Sequence, residues 1–184
     1  LSSGTLNNRK QNEILLRAFS NILPKINQNI NLVFIGDGDR LSYLKFLTKE
    51  LDITNRVVFL GKILDEKILA SYFKRAFTSV SFGQAGLSIL HSFGYGVPYI
   101  TYKGAISGGE ISNIKSGFNG LLTENSEKSL GESIFKLVNN ITLAKKMGEN
   151  AFNYYDEFCT MRNMCQGFAD SIENTRQAKV NNKN

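Results

Sequence analysis

Tryptophan is absent from these 184 residues, histidine occurs once, and proline and cysteine occur twice each. Cys159 and Cys165 have neither C-x-x-C spacing nor a neighbouring histidine, so they build no zinc motif and no disulfide framework. A reducing, cytoplasmic compartment is the simplest home for such a chain. With so little proline, and with 42% apolar against 21% charged residues, collagen-like and disordered classes are excluded. Long apolar runs are missing too. Leu32 to Ile35 and Val57 to Leu60 are strand-sized, far short of the roughly 20 residues a membrane span needs. No charged-then-apolar leader with a small-residue cleavage site appears, so nothing argues for secretion. Starting at Leu1 without methionine, and close to a loop of functional type, the sequence is expected to be a fragment of a longer polypeptide.

Positive charge is what the chain has in excess. A net charge of +6 favours an anionic partner, such as a phosphorylated small molecule or an acidic membrane surface. The basic residues are scattered and form no stripe interleaved with aromatics, which argues against nucleic acid. The length suits one domain, expected over residues 1–176, with 177–184 a polar tail that frays. Ile14 and Leu15, Ala18 and Phe19, and Ile22 recur at helical spacing before Pro24. "NLVFIG" reads as a strand, "RLSYLKFLTKEL" as a helix, "RVVFLG" as a strand and "DEKILASYFKRA" as a helix. "TSVSFG", "PYITY" and "FNGLLTE" supply further strands, and helices are expected over 126–139, 141–157 and 160–176. Near-continuous apolar strands separated by helices predict an α/β fold: a doubly wound, mostly parallel sheet with helices on both faces.

In such a sheet ligands sit at the carboxyl ends of the strands. The stretch "GQAGLSILHSFGYGVP", residues 83–98, places the loop Gly83-Gln84-Ala85-Gly86 between a strand and a helix that begins at Leu87. Free N–H groups there, approached without a Cβ in the way, could hold a phosphate, or the glycines could simply make a tight turn. Gly94 and Gly96 end the helix, and Pro98 opens the next strand. His91 shares a face with Leu87 and Leu90, which leaves two readings: a core histidine, or a polar group placed to hydrogen-bond a hydroxyl of the phosphate-bearing ligand. "GDGDR", residues 36–40, fails as a dinucleotide fingerprint, since it follows the second strand and Leu41 stands where the third glycine should be. It reads as a strand-end turn with Asp39 capping the next helix.

"GLSILHSFGYGVPYIT" resembles the signature segment of the family 4 (group 1) glycosyltransferases, in which two glutamates eight positions apart precede an A-x-x-x-G-x-P-V-I stretch. The resemblance extends through "SSGTLNNRKQNEILLRAF", "LVFIGDGDRLSYLKFL", "NRVVFLGKILDEKILASYFKRAF" and "GGEISNIKSGFNGLLTENSEKSLGESI", in the family's order. It implies a Rossmann-like domain, the C-terminal, nucleotide-sugar-binding half of a GT-B-fold enzyme, with an acceptor-binding half before Leu1.

Residue by residue, the family's first glutamate falls on Gly83 and its second, which holds the ribose hydroxyls, on His91. A neutral imidazole can accept one such hydrogen bond and donate another. Gln84 or Glu110 can stand in for the first. The family's diphosphate-binding arginine and lysine fall on Thr5, after the Gly4 turn, and on Lys10, with Arg9 as a substitute for the lost arginine. Backbone groups at Gly61, Lys62 and Ile63 take the place that holds the base. The resemblance thus implies Lys10 and Glu110 as catalytic residues, with donor contacts extending along Gly83, Gln84, Ala85, Gly86 and Leu87. The donor is a nucleoside-diphosphate sugar, no metal or other cofactor is required, and the sugar passes with retention to a surface-glycan or lipid-linked acceptor. The implied location is cytoplasmic, at the inner face of the membrane, with peripheral membrane association. Two alternatives stay open: a degenerate module that binds nucleotide sugar or a partner subunit without turnover, and a GT-B-like nucleotide-sugar epimerase.

Overall fold

The computed structural model describes residues 1–181. Three short parallel strands form one sheet: β1 (Ser2–Ser3), β2 (Leu32–Ile35) and β3 (Val57–Phe59), with Ser2 opposite Phe34 and Leu32 opposite Val57. β4 (Ser79–Val80), β5 (Tyr99–Tyr102) and β6 (Gly120–Thr123) form a second, again parallel, with Ser79 opposite Tyr99 and Tyr99 opposite Gly120. Backbone hydrogen bonds join the two. The Leu1 nitrogen donates to the Thr78 carbonyl at 3.0 Å, and Val80 N–H donates to the Leu1 carbonyl at 2.8 Å. The strands therefore run β3-β2-β1-β4-β5-β6, and the winding reverses between β1 and β4.

Helices cover both faces because successive strand residues point to opposite sides. Leu32, Phe34, Val80 and Ile100 face the larger core, which α1 (Asn12–Ile22), α2 (Leu41–Glu50) and α5 (Glu127–Val138) close with Leu15, Phe19, Leu44, Leu130 and Ile134. On the other side Ile35 packs with Leu69 and Phe73 of α3 (Glu66–Phe73). Tyr99 packs there with Ile89 and Phe93 of α4 (Ser88–Gly94) and with Ala151 of α6 (Ile141–Phe158).

The caps explain where these helices start. Asp65 accepts from the N–H groups of Lys67 and Ile68, Ser126 from Ser129, and Asn140 from Leu143. The expected cap of α2 differs. Its capping position is Arg40, which makes no side-chain cap bond, and it is Asp37, not Asp39, that accepts locally, from Gly38 N–H at 2.7 Å. The last helix, α7 (Met161–Asn181), continues past the limit of 176 that the sequence pattern gave, so the expected polar tail is helical through Asn181; residues 182–184 lie outside the described residues. Among the described residues no helix is long and apolar enough to cross a membrane.

Candidate functional site

A cavity of about 880 Å³ opens at the carboxyl ends of β1, β2 and β4, where the strand order reverses. The β1–α1 loop brings Gly4, Thr5, Arg9 and Lys10 to its wall, and the segment after β3 brings Lys62 and Ile63. Gln84, Gly86, Leu87 and His91 come from the glycine loop and α4. Residues far apart in sequence thus meet in one hollow.

Its electrostatics are one-sided. Arg9, Lys10 and Lys62 line it against a single carboxylate, Asp37. Among the described residues the ion pairs are Lys103–Glu124 and Lys128–Glu132, both elsewhere. Lys10 closes a 3-10 turn (Asn8–Lys10), its backbone N–H donating to the Asn7 side-chain oxygen at 3.2 Å, and its ammonium lies 3.3 Å from the point a Cβ would occupy on Gly4. Burial lowers its pKa from the usual 10.5, because the charged form loses water without gaining a carboxylate. A bound anion would supply the missing partner.

The glycine loop is pinned from two sides. Gly83 N–H donates to the Lys10 carbonyl at 3.0 Å, while Ile106 N–H donates to Gly83 and Ala85 N–H to Ile106, both at 2.9 Å. A Cβ on Gly83 would fall 2.3 Å from the Arg9 carbonyl oxygen, so no side chain fits at the position that the resemblance matches to a glutamate. Gly83 and the fully buried Ala85 support the wall without forming it, and neither they nor Gly61 borders the cavity. Gly61 acts one step back: its carbonyl accepts from Gly36 N–H at 2.8 Å.

Glu110 is likewise not on the wall. Its Oε2 accepts from Gly108 N–H at 2.9 Å and from the Ser107 hydroxyl at 3.1 Å, while Oε1 lies 3.7 Å from where a Cβ on Gly86 would be. A carboxylate therefore stands beside the glycine loop after all, delivered by a different segment.

The way α4 sits places His91 at the edge of the cavity. Ile89, Ser92 and Phe93 are the helix's buried face, whereas Leu87 is 73% exposed and His91 turns to the cavity. The face shared with Leu87 and Leu90 is thus not the core. The imidazole packs edge-on against Phe73 and Tyr95, which stack on each other at 4.8 Å, with ring centroids 5.2 and 5.1 Å away. Tyr95 is itself held by its hydroxyl, which donates to Glu66 Oε2 at 2.6 Å. Burial and then the Glu66 carboxylate push the Tyr95 phenol up to about 12.

The sequence reading missed Gly36, Asp37 and Ser88, which also line the cavity, and the apolar Ile35, Leu64 and Leu69 at its other end. The signal for Gly36 was present in "GDGDR": a Cβ there would lie 2.0 Å from the Gly4 carbonyl oxygen, so the β2–α2 turn needs glycine to press against the β1–α1 loop.

The family model for glycosyl transferases group 1 matches residues 1–154. The chain belongs to that family. It is 31% identical over 160 residues to an uncharacterized glycosyltransferase of Methanocaldococcus jannaschii, covering 84% of itself and 39% of that protein. It is 28% identical over 159 residues to N-acetyl-alpha-D-glucosaminyl L-malate synthase of Bacillus anthracis, covering 81% of itself and 38% of the synthase. The chain thus spans less than half the length of these relatives. Among solved structures, Anabaena HepE in complex with UDP superposes with a TM-score of 0.78 at 20% identity, over 94% of this chain and 48% of that one. The C-terminal domain of a group 1 glycosyl transferase from Francisella tularensis gives 0.75 at 19% identity, over 87% and 85%. The fold is the Rossmann-like arrangement of GT-B glycosyltransferases.

Proposed function

We propose that this chain is the donor-binding part of a glycosyltransferase, holding a nucleoside-diphosphate sugar, with UDP as nucleotide, in the cavity between β1 and β4. The observation that carries this reading is the unpaired, half-buried Lys10 on a wall with two further cations and one carboxylate. Lys10 and Arg9 face the diphosphate, and His91 takes the ribose hydroxyls. Lys62 and Ile63, with Gly61 behind them, take the base.

During transfer the diphosphate leaves with growing negative charge. Lys10 offsets that charge at a fixed position, which is more effective in a partly dry cavity than in water. The leaving phosphate takes the acceptor proton, and the sugar keeps its anomeric configuration. Glu110, behind the glycine loop with its Oε1 beside Gly86, stands in for the family's first glutamate by bracing that loop against the donor. The acceptor, a surface glycan or a lipid-linked carrier, meets this cavity from a part of the polypeptide outside these 184 residues, at the inner face of the membrane. No metal or other cofactor enters this scheme.

One observation favours a second reading, a module that holds nucleotide sugar without turnover: Gly83 has no room for a side chain, so the family's first carboxylate cannot return there. Calorimetric titration with UDP, UMP and uridine tests donor binding. Assay of the longer polypeptide with Glu110→Gln separates the two readings. A fall in turnover with UDP affinity retained supports the enzyme, and no turnover even before substitution supports the module.

A further inference from the structure

Behind the glycine loop lies a pair of hydroxyls that the donor-binding scheme does not use. Tyr99, on β5, is 1% exposed, and its hydroxyl lies 2.7 Å from Ser88 Oγ. The neighbouring Ser81, just past β4, spends its own proton on the Gln84 carbonyl at 2.7 Å. Ser88 borders the cavity. The pair runs from the core to the proposed site.

Counting protons shows what the pair can do. Each hydroxyl has one proton, and the bond between them uses one of the two. In the first arrangement Ser88 spends its proton on Tyr99 and shows the cavity only lone pairs, while the buried phenol proton goes without an acceptor. In the second, Tyr99 donates to Ser88, and the Ser88 proton is free to point outward. An anion selects the second arrangement, and a wall carrying Arg9, Lys10 and Lys62 against Asp37 draws an anion there. Burial pushes the Tyr99 phenol up to about 12, so it keeps its proton throughout the neutral range. A phenylalanine would fill the same space in the core; the hydroxyl serves only its bond to Ser88.

We propose that Ser88 is a further hydrogen-bond donor to the diphosphate of the bound nucleotide, and that Tyr99 is its positioning residue, donating to Ser88 so that the serine proton is free for the ligand. This rests on the donor-binding reading above. No bond is made or broken; two hydroxyl protons reorient when the ligand arrives.

The test is calorimetric titration of the 184-residue chain, and of its Ser88→Ala, Ser88→Thr, Tyr99→Phe and doubly substituted Ser88→Ala/Tyr99→Phe variants, with UDP and with uridine. Ser88→Ala should weaken UDP about tenfold, the size of one hydrogen bond to a charged group, and leave uridine unchanged. Ser88→Thr should restore UDP binding. Tyr99→Phe should weaken UDP in the same direction, and adding it to Ser88→Ala should cost nothing more, because it acts through the serine. The inference is overturned by unchanged UDP affinity in Ser88→Ala, by equal losses for UDP and uridine, or by additive losses in the double variant. Should Tyr99→Phe fail to fold, the Ser88 pair alone decides. If the unsubstituted chain binds no UDP, the donor-binding reading falls together with this one; if it binds and Ser88→Ala matches it, only this one falls.

Discussion

Lys10 is caught between two demands: burial disfavours its charge, and the proposed ligand requires it. Between its lowered pKa and the ordinary 10.5 the folded chain holds fewer protons than the unfolded one, so this residue's contribution to stability rises with pH across that window. Nucleotide affinity moves the opposite way. UDP binding should weaken as pH climbs through the lowered pKa, and titrations of Lys10→Ala should lack that limb. At neutral pH the same substitution should cost UDP roughly 1.5 to 3 kcal/mol, the range of a hydrogen bond to a charged group, and leave uridine little changed. Equal losses for UDP and uridine would place the diphosphate elsewhere. His91 is tested by its partner hydroxyls: His91→Ala should lose about 1 kcal/mol of affinity for UDP and none for the 2′,3′-dideoxyribose analogue. Both residues could be picked out in the sequence, Lys10 through the resemblance and His91 as the lone histidine of its helix. What the sequence could not show was the way each points. Helical spacing groups His91 with Leu87 and Leu90, yet the choice of buried face falls on Ile89, Ser92 and Phe93 because Tyr99 and Ala151 wait on that side.

The elements themselves were legible because hydrophobic period carries them. α1 stops before Pro24 and α3 starts after Asp65, as the pattern and the caps dictate. Loop-to-loop contact carries no such period, which is why Gly36 and Asp37 passed as part of an ordinary turn and Glu110 could be matched to the site only through the family. The two approaches that shape the site are backbone against backbone: Gly36 on Gly4 and Gly83 on Arg9. Gly83→Ala should therefore destabilise the chain by about 1 to 3 kcal/mol, as overpacking does, since the obstructing atom is a carbonyl oxygen that cannot swing aside. Gly86→Ala, whose added methyl meets only Glu110 at an ordinary 3.7 Å, should cost about 1 kcal/mol or less. Urea unfolding of the pair measures the contrast, and equal midpoints would mean that the β1–α1 loop gives way. At the far end, Met161, Met164, Phe168 and Ile172 of α7 are each more than half exposed. Removing 161–184 should leave the urea midpoint of the rest of the chain little changed, because these side chains bury little apolar surface against it.

At the scale of the whole molecule, function follows from the reversal of strand order between β1 and β4. Strands on either side of that point send their following segments apart, and the gap left between the segments is the cavity. The gap is built from one side only. Every residue assigned to the donor lies within one Rossmann-like unit, and the chain covers 39% and 38% of the two relatives described above. Transfer needs an acceptor oxygen held in line with the sugar, and aligning two reactants accounts for roughly 7 to 11 kcal/mol of a barrier. A chain that grips the donor and leaves its other side to solvent forgoes that alignment. The expected outcome is a separation of the two activities: residues 1–184 bind UDP, read as a ligand-dependent rise in Tm, but pass no sugar from UDP-sugar to glycan or lipid-linked acceptors at a rate above the uncatalysed background. In a polypeptide of the length its relatives have, the same cavity should turn over, and Lys10→Ala should then lower kcat more than it raises KM, because in the proposed scheme the lysine faces charge that appears as the diphosphate departs. Efficient transfer by the 184 residues alone would show that the acceptor site lies inside this unit, and the search for it would turn to the surface around Glu110.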